Sequence, residues 1–244
     1  MEDTSKWVHY FARPGPVNTE RTLELGIART VELGAGHLVV PSLTGESAWR
    51  ASEKLEQLGV GEKPRLVCVT FRAGGAWDVT GDPPDAAHWR EVPELIARWE
   101  EWRRKGLRTI TFDPTIRDGL ERRGVRVIQG TDLGCEVDAS IARHLGVPGA
   151  KTVMKETLFF FCAGLKVAVF ATLTAADAGA IPVDGEVVAF GGMEQGLDTA
   201  VVIKPSYSDA VFHPRYGLEI RELICKPRSM LGPSGVYYDR ASGV

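Results

Sequence analysis

Ser42-Leu43-Thr44-Gly45-Glu46-Ser47 is the segment of this sequence best equipped for binding chemistry. It follows the apolar run Leu38-Val39-Val40 and precedes a segment with helical periodicity, so it is expected to open a helix. The first N–H groups of a helix lack intrahelical partners, and the dipole there favours an anion. Gly45 lets backbone approach such a ligand closely, and the Thr44 and Ser47 hydroxyls can donate to its oxygens. This chemistry suits a phosphate. Glu46 complicates the reading, because a first-turn carboxylate competes for the same positive helix end. It must point away if phosphate binds; otherwise it is an ordinary helix-start charge. The alternative is a plain N-cap, Thr44 or Ser42, with no ligand.

Gly191 to Asp198 is a second glycine-rich link, placed between two strand-like runs. Its glycines could wrap a ligand, but taken alone they read as a hairpin turn. The pattern is not G-x-G-x-x-G and it leads into a strand, so a Rossmann dehydrogenase is disfavoured. A third set comprises Arg72, Thr131 and Lys204-Pro205-Ser206 at strand ends, which would meet an acidic ligand only if strand order gathers them. Glu156 and Asp177 bracket an apolar segment that contains Lys166. They could do acid–base work, but a dipole-favoured acid at a helix start and a snorkelling lysine account for them more simply. The five histidines lack ligand spacing, so no metal site is expected. There is no G-x-S-x-G elbow and no Cys and His that the sequence pairs, so a nucleophilic hydrolase has no support.

These groups need a scaffold. Asn18 can cap a helix running to about Leu33 and stopping at Gly34 or Gly36. A short strand at His37 to Pro41, a helix from Glu46 to about Leu58 and a strand from Arg65 to Phe71 follow. The strands do not alternate, which indicates that both faces are covered, as in a parallel sheet. Gly74 to Pro84 reads as a long exposed loop, and Glu91 to Lys105 as an amphipathic helix. The next strand is Thr109 to Phe112 or Val125 to Gln129, the second being favoured. A short helix at Asp138 to Leu145 precedes one long buried helix from Glu156 to Ala178. Strands at Glu186 to Phe190 and Thr199 to Lys204 follow, with an edge strand at Leu218 to Ile224. The fold class is α/β, a three-layer α/β/α arrangement with loops 42–47, 71–84 and 191–198 meeting at the carboxyl ends of strands. Residues 1–228 form one domain, with a loosely held tail at 229–244.

Composition excludes other classes. With 44% hydrophobic and 25% charged residues the chain is globular rather than disordered. A net charge of −3 gives no footprint for nucleic acid. Four cysteines form no C-x-x-C pair, which fits a reducing cytoplasm. Lys166 interrupts the most apolar stretch, so no membrane span is expected.

Several separated motifs resemble a known family. The run from Arg21 to Thr70, with HLVVPSLTGESAWRAS followed by KPRLVCVT, resembles the C-terminal domain of pyruvate kinase. Closer are the stand-alone pyruvate kinase alpha/beta domain-like proteins of archaea and bacteria. PGPVNTERTLELG, TGESA, ETLFFFCAGLKVAVFATLTAADAGAIP, GG-x3-G-x-DTA and VIKPSYS carry that likeness, over roughly residues 12 to 228. The resemblance implies a mixed, mostly parallel sheet and a phosphate site at Thr44, Gly45, Glu46 and Ser47, over which Gly191 to Asp198 closes. It implies flavin mononucleotide (FMN) as the ligand, or a sugar phosphate, the effector that the matching loop of pyruvate kinase grips. The barrel that carries pyruvate kinase's catalytic sites has no counterpart, so phosphoryl transfer is not expected. Where the family has a pair of histidines, this chain has Phe71-Arg72, and Arg72 would add a charge-assisted contact.

The expected cofactor set is therefore Ser42, Thr44, Gly45, Glu46, Ser47, Arg72, Thr131, Gly191, Gly192 and Lys204. Lys204 or Arg72 would sit near a flavin ring. The leading reading is an FMN or other phosphorylated small-molecule binder; any enzymatic activity would be flavin-dependent. The alternative is a sugar-phosphate sensor acting through a homo-oligomer interface. A third is an interaction domain whose loop is empty.

Overall fold

The computed structural model describes residues 3, 5–59, 61–83, 92–130, 136–147 and 149–229. A short strand β1 (His9–Phe11) and a 3-10 turn (Pro16–Asn18) lead into α1 (Thr19–Leu33). Then come β2 (His37–Pro41), α2 (Glu46–Glu56) and β3 (Arg65–Thr70). A small unit follows, with β4 (Trp77–Asp78), α3 (Pro93–Arg104) and β5 (Thr109–Ile110). The chain continues through α4 (Pro114–Arg122), β6 (Arg126–Gln129), α5 (Glu136–Leu145), α6 (Ala150–Phe159) and α7 (Ala163–Asp177). It closes with β7 (Val187–Gly191), β8 (Thr199–Lys204) and β9 (Glu219–Pro227).

Seven strands form one sheet in the order β1-β9-β8-β7-β2-β3-β6. β6, β3, β2 and β7 run parallel to their neighbours; β8 is antiparallel to both β7 and β9; β1 pairs parallel with β9. The fold is α/β, with helices on both faces of a mostly parallel mixed sheet. Strand alternation shows why the central strands are apolar on both faces. Leu38 and Val40 pack with α1 and α2 on one face, through Leu23, Ile27 and Ala51. Val39, Val67 and Val69 pack on the other, against Leu165, Val169 and Leu173 of α7. The central strands β2, β3, β7 and β8 face two helical layers, so neither of their faces tolerates charged residues along the buried run. Gly34, at φ 63, ends α1 in the left-handed conformation with its N–H on Thr30 and Val31 carbonyls. Among the described residues no helix is long and apolar enough to cross a membrane.

Five expectations need correction. Asn18 does not cap α1 with its side chain; its Nδ2 donates to the Arg13 and Gly15 carbonyls at 2.8 and 3.3 Å, and the 3-10 turn supplies the helix start. The stretch from Gly74 is not a plain exposed loop. Its described part carries β4, which pairs antiparallel with β5, and fully buries Val79. Val79 joins Val92, Leu95, Trp99, Trp102 and Ile110 in a small separate core that also takes in Met193. Both alternative strands exist, Thr109–Ile110 in this small unit and Arg126–Gln129 in the main sheet. The helix expected from Glu156 to Ala178 is two helices. They part at Cys162, whose backbone is extended (φ 177, ψ 164) and whose sulfur accepts the Leu165 N–H at 3.4 Å. Only α7 is deeply buried; α6 has no buried residue. Finally, β9 is not an edge strand, because His9, Tyr10 and Phe11 pair outside it with Cys225, Lys226 and Pro227. Three residues carry too little pattern to be read as a strand, so local sequence could not reveal β1. The 230–244 part of the tail lies outside the described residues.

Candidate functional site

A cleft of about 550 Å³ opens at the carboxyl ends of β2, β3 and β7. This is where ligands bind in open parallel sheets, and the volume falls in the range of small-molecule sites. One wall is the turn from β2 into α2, contributing Ser42, Leu43, Thr44, Glu46 and Ser47. The opposite wall is Gly192 to Gly196. The α6–α7 junction adds Phe159, Ala163, Lys166 and Val167, and α3 of the inserted unit adds Glu94 and Arg98. Val69, Thr70 and Phe71 line it from the end of β3, and Pro16, Val17 and Thr19 from the start of α1.

The β2–α2 turn is held by its own hydroxyls. The Ser42 N–H donates to the Val69 carbonyl at 2.9 Å, tying the turn to β3. Ser42 Oγ accepts the Gly45 N–H at 3.0 Å, and Thr44 Oγ1 accepts the Glu46 N–H at 3.4 Å. Gly45 adopts φ 94, and a Cβ there would lie 2.6 Å from Ile116 Cγ2, so glycine is required on both conformational and steric grounds. The N-cap residue of α2 is Gly45 itself, which has no side chain to cap the helix, and the Thr44 hydroxyl covers the Glu46 N–H instead. Ser47 in the first turn is buried at 8% exposure and lines the cleft.

Charges in the cleft are largely cross-paired. Arg98 Nη2 donates to Glu46 Oε1, and Arg98 Nη1 lies 3.1 Å from Glu101. Arg13 forms a two-pronged pair with Glu94, Nη1 to Oε2 at 2.7 Å, which holds the Glu94 carboxyl below the usual carboxylate range. Arg50 reaches Glu20 at 3.1 Å. Lys166 Nζ stands 5.8 Å from the Phe159 ring centroid.

The glycine-rich wall is pinned from behind. Asp198, at 1% exposure, accepts the Gly15 N–H at 3.0 Å and the Thr199 hydroxyl at 2.9 Å. Burial pushes its carboxyl up to about 6, against the opposing pull of those two hydrogen bonds. Thr19 Oγ1 accepts the Leu197 N–H at 3.0 Å, and the Thr22 hydroxyl donates to the Leu197 carbonyl at 3.3 Å. Gly196 sits at φ 69, where a Cβ would lie 2.5 Å from Thr19 Oγ1. Gln195 Nε2 is buried with no hydrogen-bond partner among the described residues, in a side chain that lines the cleft.

The structure brings together Ser42, Thr44, Glu46, Ser47 and Gly192 around the cleft, with Gly45 shaping the turn. Gly191 does not line it; a Cβ there would lie 1.9 Å from the Gly164 carbonyl oxygen, so it serves the packing of β7 against α7. Arg72 is exposed and does not line the cleft. Lys204 is at the far end of the sheet, bound to Glu219 at 2.6 Å, because β8 runs antiparallel to β7 and ends beside its start. Thr131 lies outside the described residues. Glu156 pairs with Lys155 at 2.8 Å and Asp177 accepts from the Ser208 N–H at 2.9 Å, and neither lines the cleft that Lys166 lines.

Lys166, Arg98, Arg50 and Thr19 are cleft residues that the sequence reading did not select. Ala163, Lys166 and Val167 have the i, i+3, i+4 spacing of one helix face, a signal that becomes readable once α7 is known to begin at Ala163. Arg98 has no local signal, since it comes from an insertion 52 residues from its partner Glu46. Among the described residues no group of three or more His, Cys, Asp or Glu side chains is gathered as a metal-ligand set. No protein-family model matches the chain.

Proposed function

We propose that this cleft binds a phosphorylated small molecule, flavin mononucleotide, with its phosphate at the start of α2. One observation carries the reading. The first turn of α2, whose N-cap residue is a glycine, and the Ser42–Ser47 turn open into a cleft whose other walls combine cations with apolar surface. Ser47 and the α2 amides would hold the phosphate, with Thr44 adding a hydroxyl. Phe71, Phe159, Val167 and Met193 offer the apolar surface a flat ring requires. Lys166 replaces Lys204 and Arg72 as the cation proposed for the ring. A bound flavin supplies redox chemistry, and a cation beside it favours the reduced anion. Membership in the stand-alone pyruvate kinase alpha/beta domain-like family is part of this proposal, supported by the TGESA, GG-x3-G-x-DTA and related motifs.

A second reading is a sugar-phosphate sensor. Phe160 and Phe161, 83% and 50% exposed, directly follow Phe159 of the cleft wall. Ligand-induced movement of that wall would reach an apolar surface suited to a second copy of the chain.

Thermal-shift titration ranks FMN, riboflavin and a sugar bisphosphate, since ligand at a hundredfold excess over its Kd stabilises by about 2.7 kcal/mol. FMN should give the largest shift, and Ser47→Ala should weaken its binding by roughly tenfold through loss of one hydroxyl donor. Gly45→Asp should abolish it, with circular dichroism confirming that the variant folds. The absence of any shift, or full binding by both variants, sinks the reading.

A further inference from the structure

Glu46 sets a problem for any anion at the start of α2. It occupies the first turn and lines the cleft beside Ser47, so its carboxylate faces the place where a phosphate would sit. Two anions sharing one helix end repel, and the favourable dipole there is only about half a unit charge. The structure answers this with a residue from elsewhere in the chain. Arg98 of α3 donates directly to Glu46 and lines the same cleft.

Arg98 is not loosely placed. Its guanidinium lies 5.5 Å from the Trp102 ring centroid, and Nη1 is 3.1 Å from Glu101. α3 is seated by Leu95, Trp99 and Trp102 in a core that includes Met193 of the glycine-rich wall. A guanidinium carries five donors in a fixed plane, so donation to Glu46 leaves others for a second anion.

We infer that Arg98 is the charge-compensating residue of this cleft: it neutralises Glu46 and thereby allows a phosphate group to share the start of α2. This rests on the phosphate-ligand reading above. The inserted β4–α3–β5 unit is then part of the binding site, because it supplies the cation that makes the loop selective for a phosphorylated ligand over its neutral counterpart. Arg98 acts through Glu46 as well as on the ligand, so its substitution should be partly reversible at Glu46.

Flavin fluorescence titrations with FMN and with riboflavin, which lacks the phosphate, read this directly. The unmodified protein should bind FMN more tightly than riboflavin. Arg98→Ala should weaken FMN binding by roughly tenfold to a hundredfold, the range of a lost charge-assisted contact, while leaving riboflavin binding unchanged. Glu46→Gln should tighten FMN binding several-fold, and the double variant Arg98→Ala/Glu46→Gln should recover most of the loss. The inference is overturned if Arg98→Ala weakens FMN and riboflavin equally, or if the double variant stays as weak as Arg98→Ala. Should Arg98→Ala not fold, an unchanged FMN-to-riboflavin ratio in Glu46→Gln overturns it instead. If the unmodified protein binds neither flavin, the FMN reading fails and the inference with it. FMN binding with an unaltered ratio in the variants removes only the role of Arg98.

Discussion

Asp198 gives the sharpest quantitative test of how the glycine-rich wall is held. Its carboxylate is buried and accepts from Gly15 and Thr199, and burial raises its folded-state value from 3.8 to about 6. Because the folded value lies above the unfolded one, the folded protein binds more protons between them. The stabilising contribution is therefore fully present below 3.8 and is lost as pH rises through about 6. The full span corresponds to about 3 kcal/mol, of which roughly 1 kcal/mol falls between about pH 5 and about pH 7. Asp198→Asn removes the titration and can keep the geometry. The amide oxygen can accept from Gly15, and the amide nitrogen can donate to Thr199 Oγ1, whose hydroxyl then turns to Cys162 Sγ at 3.4 Å. Urea denaturation of both proteins at the two pH values isolates the effect, because other titrating groups such as His37 are common to both. The parent should gain roughly 1 kcal/mol relative to the variant on acidification. A difference that is independent of pH, or that grows towards neutrality, would refute the account of a desolvated carboxylate.

Other substitutions probe the same framework. Gly196→Ala places a Cβ in the left-handed region, 2.5 Å from Thr19 Oγ1 and 2.6 Å from Pro16 Cα, and should cost about 2–4 kcal/mol in urea unfolding. Arg29 reaches Glu222 through two bonds, at 2.8 and 2.6 Å, with its own side chain only 16% exposed, so it ties α1 to β9. Arg29→Ala should cost about 1–3 kcal/mol, whereas Arg21→Ala, which breaks an exposed pair with Glu24, should cost less than about 0.5 kcal/mol by the same measurement. Gly26→Ala would set a Cβ 2.3 Å from the Phe190 ring, and a calorimetric melting temperature should fall by several degrees.

Much of the scaffold was legible because its signals are local. The strands at β2, β3, β7 and β8 are short apolar runs between breakers, and α1 and α2 show a clear period. The turn at residues 42–47 was legible for the same reason, since strand, glycine and hydroxyls adjoin in sequence. The long helix was misjudged because an apolar stretch looks alike whether continuous or broken, and an extended residue at Cys162 leaves no compositional mark. The insertion looked like a loop because β4 and β5 are two residues each and are stabilised by contact with one another.

The sequence by itself singled out the segment proposed here to receive an anion, since that reading depends on N–H groups, a glycine and hydroxyls within a few residues. Only the tertiary structure decided what surrounds that segment. The antiparallel direction of β8 sent Lys204 to the far end of the sheet. The packing of α3 brought Arg98 to Glu46, and the break before α7 set Lys166 into the cleft wall. Helix starts are made by neighbours in the chain, whereas charge balance in a cleft is made by neighbours in space. No local pattern encodes which distant side chain will supply the second.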